Sequence, residues 1–423
     1  MRAMRISDYQ FNRMRLLKAI RRAEPVSRTD LVKITGLAAG TITQLTADLV
    51  RRRILVEGKP AQKSFGRPRV ELEINAKAAH VVSVFSATNG HHVIEIVDLR
   101  GDVIFSRTVR LAQSRTVATR ARQIARAIAR TLTVASVARA NIARIGICIH
   151  GIVDNQKGIV HWLATFPDRE VPVAALIEEQ LKIPVVIDNS TNLIARAEHW
   201  FGEAEHLDDF SVLLLDLSLG SAHYVDGMLW SGAQGINSEL GHVKVFSETG
   251  RRCYCGARGC LAAYCSMFGI VSQVAELRGE PAPLRTLVET FETIAAQALA
   301  GDRATRKVFE QAGAMLGTAA ANMLHERNPA RLIVMVFNAA LIPLISESFY
   351  ASLKAHTLPA FAAQTEVQFK LVDDAAYYRK GCAVLALEQI YRGKIDAFPR
   401  TRKLPKKSAT PTHRRKASAS SRG

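Results

Sequence analysis

The residues that most constrain the fold of this chain are one histidine and three cysteines in a short segment. His242 is followed by Cys253, Cys255 and Cys260, with three glycines in the intervening stretch. Glycine lets the backbone turn tightly, so the imidazole and the three thiols can close on a single tetrahedral ion. These ligands favour zinc over calcium or magnesium and leave no position open for an activated water. We therefore predict a structural zinc site, with three buried cysteines beside a core histidine as the alternative.

The sequence around these residues resembles a family signature. Glu239-Leu240-Gly241-His242 and then Cys253-Tyr254-Cys255-Gly256-Ala257-Arg258-Gly259-Cys260 follow the patterns ExGH and CxCGxxGC of the ROK family (repressor, open reading frame, kinase). Members of this family are bacterial sugar kinases and sugar-responsive repressors. The resemblance covers nearly the whole chain up to about residue 396. It implies an actin-like, ribonuclease-H-like α/β body of two lobes with a cleft between them.

Composition and charge narrow the class of protein further. The chain has 423 residues, 48% of them hydrophobic, which is enough for two or three globular units. It contains no apolar run of the roughly 18 residues that a membrane span needs, and its N-terminus lacks the apolar segment of a secretory signal. We therefore expect a cytoplasmic protein that does not enter a membrane. The net charge of +19 indicates an anionic polymer as partner.

Residues 1–76 have the pattern of a winged helix-turn-helix unit of the α+β class. Apolar residues spaced three apart between positions 10 and 22 predict a first helix. Its other faces carry the basic residues Arg13, Arg15, Lys18, Arg21 and Arg22. Ser27 and Asp30 predict the capped start of a second helix, which ends at Gly36. A tight glycine turn then leads into a third helix, which completes the helix-turn-helix layout.

The third helix is predicted to contact DNA bases. Its apolar residues face inward, which leaves small side chains on the outer side of its N-terminal end, where a recognition helix meets base edges. The predicted base-contacting residues are Ala39, Thr41, Thr43 and Gln44. Two strands around a basic loop predict a wing, from which Lys63 and Arg67 would contact phosphate or the minor groove of double-stranded DNA. A plain three-helix interaction domain with a solvated basic face is the alternative.

Residues 77–396 have the α/β pattern of the family body, but several residues that a kinase needs are replaced. Phosphoryl transfer requires glycine-rich turns for ATP, a carboxylate base and acidic groups for magnesium. Compared with the family pattern, the replacements are Ser86 and Asp216 in the phosphate loops, Ser190 at the aspartate base and Phe337 near the adenosine. A serine without an activating partner cannot act as the base. Asp188, two residues earlier on a strand, would lie about 6 to 7 Å from the required position.

The sugar contacts of the family are only partly present. The resemblance assigns Asn189, Glu239 and His242 to a sugar site, whereas Ser190 and Ala262 replace an aspartate and a glutamate. Each lost charge-assisted hydrogen bond costs roughly 1.5 to 3 kcal/mol, so we do not expect the family's binding of simple hexoses. A sugar or sugar-derived effector with fewer hydroxyls and the absence of any effector both remain open.

The last segment, residues 397–423, is basic and rich in Pro, Ser, Thr and Ala, which predicts a disordered tail. Such a tail either adds contacts with DNA phosphates or only solvates the chain.

The whole sequence predicts a sequence-specific DNA-binding transcriptional regulator of the repressor type. Its catalytically inactive body, with the zinc loop at 239–266, would serve dimerisation and effector sensing. A homodimer or a dimer of dimers would suit two-fold operator DNA. The alternatives are an active ATP-dependent sugar kinase fused to a DNA-binding unit and a regulator switched by a protein partner.

Overall fold

The structure is a computed structural model, and it describes residues 8–58, 70–87, 90–246, 249–283 and 286–393. Lys63 and Arg67, two of the predicted DNA contacts, lie outside these ranges, and so does the predicted tail from 397 to 423. None of the described helices combines the length and the apolarity that are needed to cross a lipid bilayer.

The N-terminal unit, residues 8–76, is called the head below. Its described elements are α1 (Asp8–Ala23), β1 (Val26–Ser27), α2 (Arg28–Thr35), α3 (Ala39–Arg51), β2 (Leu55–Glu57) and β3 (Glu71–Ile74). Ser27 caps α2 because its hydroxyl accepts a hydrogen bond from the Asp30 amide at 3.2 Å. Gly36 ends the helix with a φ of 66°, a left-handed conformation that favours glycine. The strands pair in the order β1-β3-β2, so an antiparallel ribbon follows α3.

The body, residues 77–393, contains two five-stranded sheets and a two-stranded hairpin. Its strands are β4 (His80–Ser86), β5 (His91–Asp98), β6 (Val103–Arg110), β7 (Ile142–Ile149), β8 (Ile152–Asp154), β9 (Ile159–Trp162), β10 (Val185–Asn189), β11 (Phe210–Leu215), β12 (Leu219–Val225), β13 (Met228–Leu229), β14 (Arg331–Val336) and β15 (Glu366–Leu371). Its helices are α4 (Val117–Val134), α5 (Val173–Leu181), α6 (Ser190–Phe201), α7 (Ala262–Cys265), α8 (Met267–Leu277), α9 (Leu287–Leu299), α10 (Arg303–Arg327), α11 (Leu341–His356), α12 (Pro359–Ala362) and α13 (Asp374–Tyr391).

The two five-stranded sheets have the same topology. The sheet of lobe I has the order β10-β7-β4-β5-β6, and the sheet of lobe II has the order β13-β12-β11-β14-β15. In each, three consecutive antiparallel strands are extended by two strands parallel to the first of the three. This repeated pattern is the two-lobed α/β body that the sequence predicted.

Helices α6 and α13 lie between the lobes and define the inter-lobe cleft. Gly381 lets α13 approach α6, because a Cβ at this position would collide with the carbonyl oxygen of Leu193. Gly220 of β12 in turn lies against Thr191, so that a Cβ there would collide with the threonine hydroxyl. The N-terminal end of α6 therefore faces lobe II, and it places the ends of β10 and α6 at the cleft.

The first helix of the head packs against the body as well as within the head. Leu17 and Ile20 of α1 belong to the same apolar cluster as Leu387 and Ile390 of α13. The prediction that Arg13 and Lys18 lie on outer faces of this helix is wrong, since they are 3% and 9% exposed. Helical periodicity identifies only one buried stripe, whereas α13 and α6 cover a second side of α1.

Candidate functional site

The predicted zinc ligands converge in lobe II. The ligand atoms of His242, Cys253, Cys255 and Cys260 all lie within 4.8 Å of one another. The Cys255 and Cys260 sulfurs are 3.8 Å apart, and His242 Nδ1 is 3.7 Å from the Cys253 sulfur. Tetrahedral zinc with bonds of about 2.3 Å to sulfur requires ligand separations of about 3.8 Å. The cluster therefore fits the predicted structural zinc site, with Nδ1 as the histidine donor.

Lys244 adds a positive charge that the sequence reasoning did not consider. Its Nζ donates a hydrogen bond of 2.8 Å to the Cys260 sulfur, and this contact raises the pKa of Lys244. Three thiolates and a divalent ion carry a net charge of about −1, which the ammonium group offsets. In the sequence, Lys244 follows the predicted ligand His242 by two residues, and this closeness was the signal that could have identified it.

An aromatic contact joins the metal loop to lobe I. The Trp162 ring of β9 lies 6.1 Å from the Tyr254 ring at an interplanar angle of 20°, and 6.5 Å from the His242 ring. The Tyr254 hydroxyl is 3.4 Å from His242 Nε2, the nitrogen turned away from the thiols. The metal loop therefore lies at the mouth of the cleft, where it belongs to lobe II and contacts Trp162 across the cleft.

The predicted sugar contacts are placed as follows. The Asn189 side chain accepts a hydrogen bond from the Thr191 amide at 2.8 Å and donates one to the Gly151 carbonyl at 2.8 Å. It therefore caps α6 and is already engaged on both sides. Glu239 is half-buried, which raises its pKa to about 7, and its carboxyl makes no hydrogen bond within the described part of the chain. Ala262 is fully buried at the start of α7 and offers no polar group.

The position of the kinase base holds no usable carboxylate. Ser190 is the first residue of α6 and is 7% exposed. Asp188 is turned toward α6, where its Oδ2 lies 3.1 Å from Arg196 Nη2 and its Oδ1 accepts a 2.7 Å hydrogen bond from the side-chain Nδ2 of Asn192. A carboxylate held by a buried guanidinium does not reach a substrate hydroxyl, so Asp188 does not replace the missing base.

Aromatic side chains pack together on the side of the cleft where the family resemblance predicts the nucleotide. The Tyr378 ring stacks on Phe85 at a centroid distance of 5.0 Å and packs on Phe337 at 5.6 Å. The Tyr378 hydroxyl donates to Asp216 Oδ2 at 3.3 Å. The sequence indicated crowding by Phe337 and repulsion by Asp216 but missed Tyr378, because these residues come from segments that are far apart in the chain. Phe85, Phe337, Tyr378 and Asp216 therefore form one packed cluster on the side of the cleft that the family resemblance assigns to the nucleotide.

Ser86, at the first phosphate loop, cannot act as a nucleophile. His92 Nε2 lies 3.0 Å from an Arg120 Nη1 donor, so the other nitrogen, Nδ1, carries the proton and donates to Ser86 Oγ at 2.7 Å. Burial lowers the pKa of His92 to about 4, and Arg120 acts in the same direction. The imidazole is therefore neutral, and its Nε2 lone pair faces Arg120 and not the serine.

The predicted base-contacting residues lie on the exposed end of α3. Ile42, Leu45 and Leu49 are buried, as predicted, and Ala39, Thr43 and Gln44 are exposed, whereas Thr41 is partly buried. The Thr43 hydroxyl donates to the Ala39 carbonyl at 2.9 Å, which leaves its oxygen free to accept from a base amino group.

Comparisons with known proteins agree with this geometry. A family model described as ROK matches residues 90–370. The xylose repressor of Caldicellulosiruptor bescii is 26% identical over 331 residues, 77% of this chain and 82% of that protein. The DNA-binding transcriptional repressor Mlc of Escherichia coli is 27% identical over 398 residues, 91% and 95% of the two chains. The crystal structure of a ROK family transcriptional regulator homologous to Mlc has a TM-score of 0.75 at 26% identity and covers 91% of this chain and 97% of its own.

Proposed function

The chain belongs to the ROK family, and on this premise we propose that it is a cytoplasmic, sequence-specific DNA-binding transcriptional repressor with an inactive kinase-like body. The observation that carries the proposal is the head, whose helix α3 presents Ala39, Thr43 and Gln44 on an exposed end. We interpret this unit as a winged helix-turn-helix. Because the 91% match to Mlc leaves fewer than 40 residues of this chain unmatched, it includes at least about half of residues 1–76.

Selection of genomic fragments by the purified full chain tests this proposal. The expected result is enrichment of a defined duplex that binds roughly 10³-fold or more tightly than random DNA of the same length, the usual margin of specific regulators. Equal binding of selected and random duplexes would contradict a sequence-specific regulator. A two-fold symmetric site would in addition support the expected homodimer.

Substitutions in the head should separate base reading from phosphate contact. Gln44→Ala is expected to lose about 1–3 kcal/mol on the selected duplex and little on random DNA. Arg67→Ala or Lys63→Ala should weaken binding to both duplexes and reduce the dependence on salt. Competition binding at several salt concentrations measures both effects.

Arg130→Ala, on α4 of the body, is the control for the loss of one positive charge. This arginine is exposed and has no ion pair or hydrogen bond among the described residues. Arg130→Ala should leave the affinities for the selected and the random duplex unchanged. An equal loss of specificity in the Gln44 and Arg67 variants would refute the assignment of α3 as the base-reading helix.

We propose that the cleft binds a sugar or sugar-derived effector beside Asn189, Glu239 and His242. The Glu239 carboxyl supports this, since a half-buried acceptor without a donor among the described residues can be satisfied by a ligand hydroxyl. Thermal shift with xylose and N-acetylglucosamine, and with glucose as a simple hexose that we do not expect to bind, followed by release of the selected duplex, is the test. If none of these sugars shifts unfolding, a regulator switched by a protein partner is the better hypothesis.

We expect no phosphorylation of any of these sugars by the protein. A coupled ADP-release assay should give the rate of the protein-free control, because the base is missing and the Tyr378 stack occupies the nucleotide side. Ser190→Asp restores the carboxylate but leaves the Tyr378 stack on the nucleotide side in place, so this variant should also be inactive. ADP release by either protein would favour the kinase alternative.

A further inference from the structure

Helix α6 joins the two places that an effector-controlled regulator must connect. Its N-terminal end, with Asn189 as cap, lies at the cleft. Its C-terminal end, with His199 and Trp200, lies against α1 of the head. The helix has 12 residues, so these ends are about 18 Å apart.

A buried chain of charged groups runs along this helix. Asp188 at the cleft pairs with Arg196 of α6 at 3.1 Å, and Arg196 also pairs with Glu388 of α13. Asp188, Arg196 and Glu388 are all no more than 6% exposed. Burial alone would lower the pKa of Arg196, but the two carboxylates outweigh it, so its pKa is raised and the guanidinium stays charged.

The same chain continues into the head. Glu388 accepts a hydrogen bond from Trp200 Nε1 at 3.2 Å and pairs with Arg392 at 3.3 Å. On the other side of Trp200, Lys18 of α1 places its ammonium group 5.4 Å from the ring centroid and 3.2 Å from His199 Nδ1. Burial lowers the pKa of Lys18 to about 8, and the charge of Glu388 opposes this shift. Lys18 therefore brings a buried charge of the head next to the charged groups of α6 and α13.

Such a network is a poor way to gain stability, because apolar side chains of similar volume usually stabilise a core as well or better. Its effect on the geometry of the helices is more specific, because each buried charge is stabilised only when its partner lies beside it. On the cleft side, Asp188 also accepts a hydrogen bond from Asn155 at 3.3 Å, and Asn155 is partly exposed. A ligand that engages Asn155 competes for the carboxylate that holds Arg196.

We propose that Lys18, Arg196 and Glu388 are positioning residues that couple the occupancy of the cleft to the placement of the head. This inference rests on the proposed function and specifies its regulation. Because coupling between two binding sites is reciprocal, DNA bound to the head must change the affinity of the cleft for its ligand by the same factor, and we expect the change at the cleft end of α6. The coupling can therefore be measured before the effector is identified.

Hydrogen exchange of the full chain, with and without the selected duplex, is the test. In the wild type we expect duplex binding to change exchange at least two-fold in the peptide covering residues 185–194. In Lys18→Met, which removes the charge but keeps an unbranched aliphatic side chain, the duplex should still bind but this change should be lost. Glu388→Gln should behave in the same way, and it provides a second variant if Lys18→Met does not fold.

Arg22→Met is the matched control, because Arg22 lies on the same helix and pairs with Glu205, outside the buried network. It should keep the wild-type change at residues 185–194. The inference is overturned if the duplex leaves this peptide unchanged in the wild type, if Lys18→Met retains the change, or if Arg22→Met loses it as well. Failure to bind any duplex in a prior gel-shift measurement would refute the proposed function itself, and the inference with it.

Discussion

Cys255→Ser is expected to release zinc from the 239–266 loop and to destabilise lobe II. A serine hydroxyl stays protonated near neutral pH and is a poor zinc ligand, so the tetrahedral set loses one of its four members. Two other ligands, Cys253 and Cys260, are 5% and 0% exposed and belong to the core of lobe II. Without the ion, two buried thiols and an imidazole are left facing each other without a common partner. Metal content should fall from about one zinc per chain to near zero.

Limited digestion with trypsin gives a second measure of the same change. Arg252 and Arg258 are exposed residues inside the loop and are cleavable once it unfolds. We expect rapid cleavage there in Cys255→Ser, and in the wild type after chelation, but not in the untreated wild type. The control is Cys265→Ser, a buried cysteine outside the cluster whose sulfur lies 3.3 Å from the Ala312 carbonyl, a contact that serine can also make. Unchanged zinc content in Cys255→Ser would refute the assignment of Cys255 and its three neighbours as a zinc site.

The parts of the molecule that depend on neighbours in sequence could be predicted. The metal cluster spans residues 242–260, so the spacing of its ligands already limits their geometry. The cap at Ser27, the turn at Gly36 and the buried stripe of α3 are likewise set within one or two helical turns. The strands and main helices of the body follow their apolar patterns, and the resemblance supplied the two-lobed arrangement that joins them.

The interface between head and body could not be predicted, because its partners are far apart in the chain. Lys18 and His199 are separated by 181 positions, and Arg13 lies 377 positions from Ile390, whose carbonyl oxygen accepts its hydrogen bond at 3.4 Å. A basic residue outside an apolar stripe is usually solvated, so periodicity assigns both side chains to the surface. The same limit hid Tyr378, which reaches Phe85 only after the lobes assemble.

Arg196→Met is expected to lower the free energy of unfolding of the body by about 3–5 kcal/mol, the usual effect of removing one partner from a buried ion pair. Methionine fills the aliphatic volume but leaves Asp188 without its cation. Glu388 loses less, because Arg392 still pairs with it at 3.3 Å. Urea denaturation followed by tryptophan fluorescence, to which Trp200 beside this network contributes, measures the change.

Two further variants distinguish a lost ion pair from a lost packing contact. Arg126→Met removes an exposed arginine that has no ion pair in the described part of the chain, and it should change the free energy by no more than about 0.5 kcal/mol. Adding Asp188→Asn to Arg196→Met removes the uncompensated charge and leaves an amide that Asn192 can still contact. The double variant should therefore recover at least half of the loss. If it is no more stable than Arg196→Met alone, the guanidinium acts through its volume, and the charge network has no energetic role at the cleft end of α6.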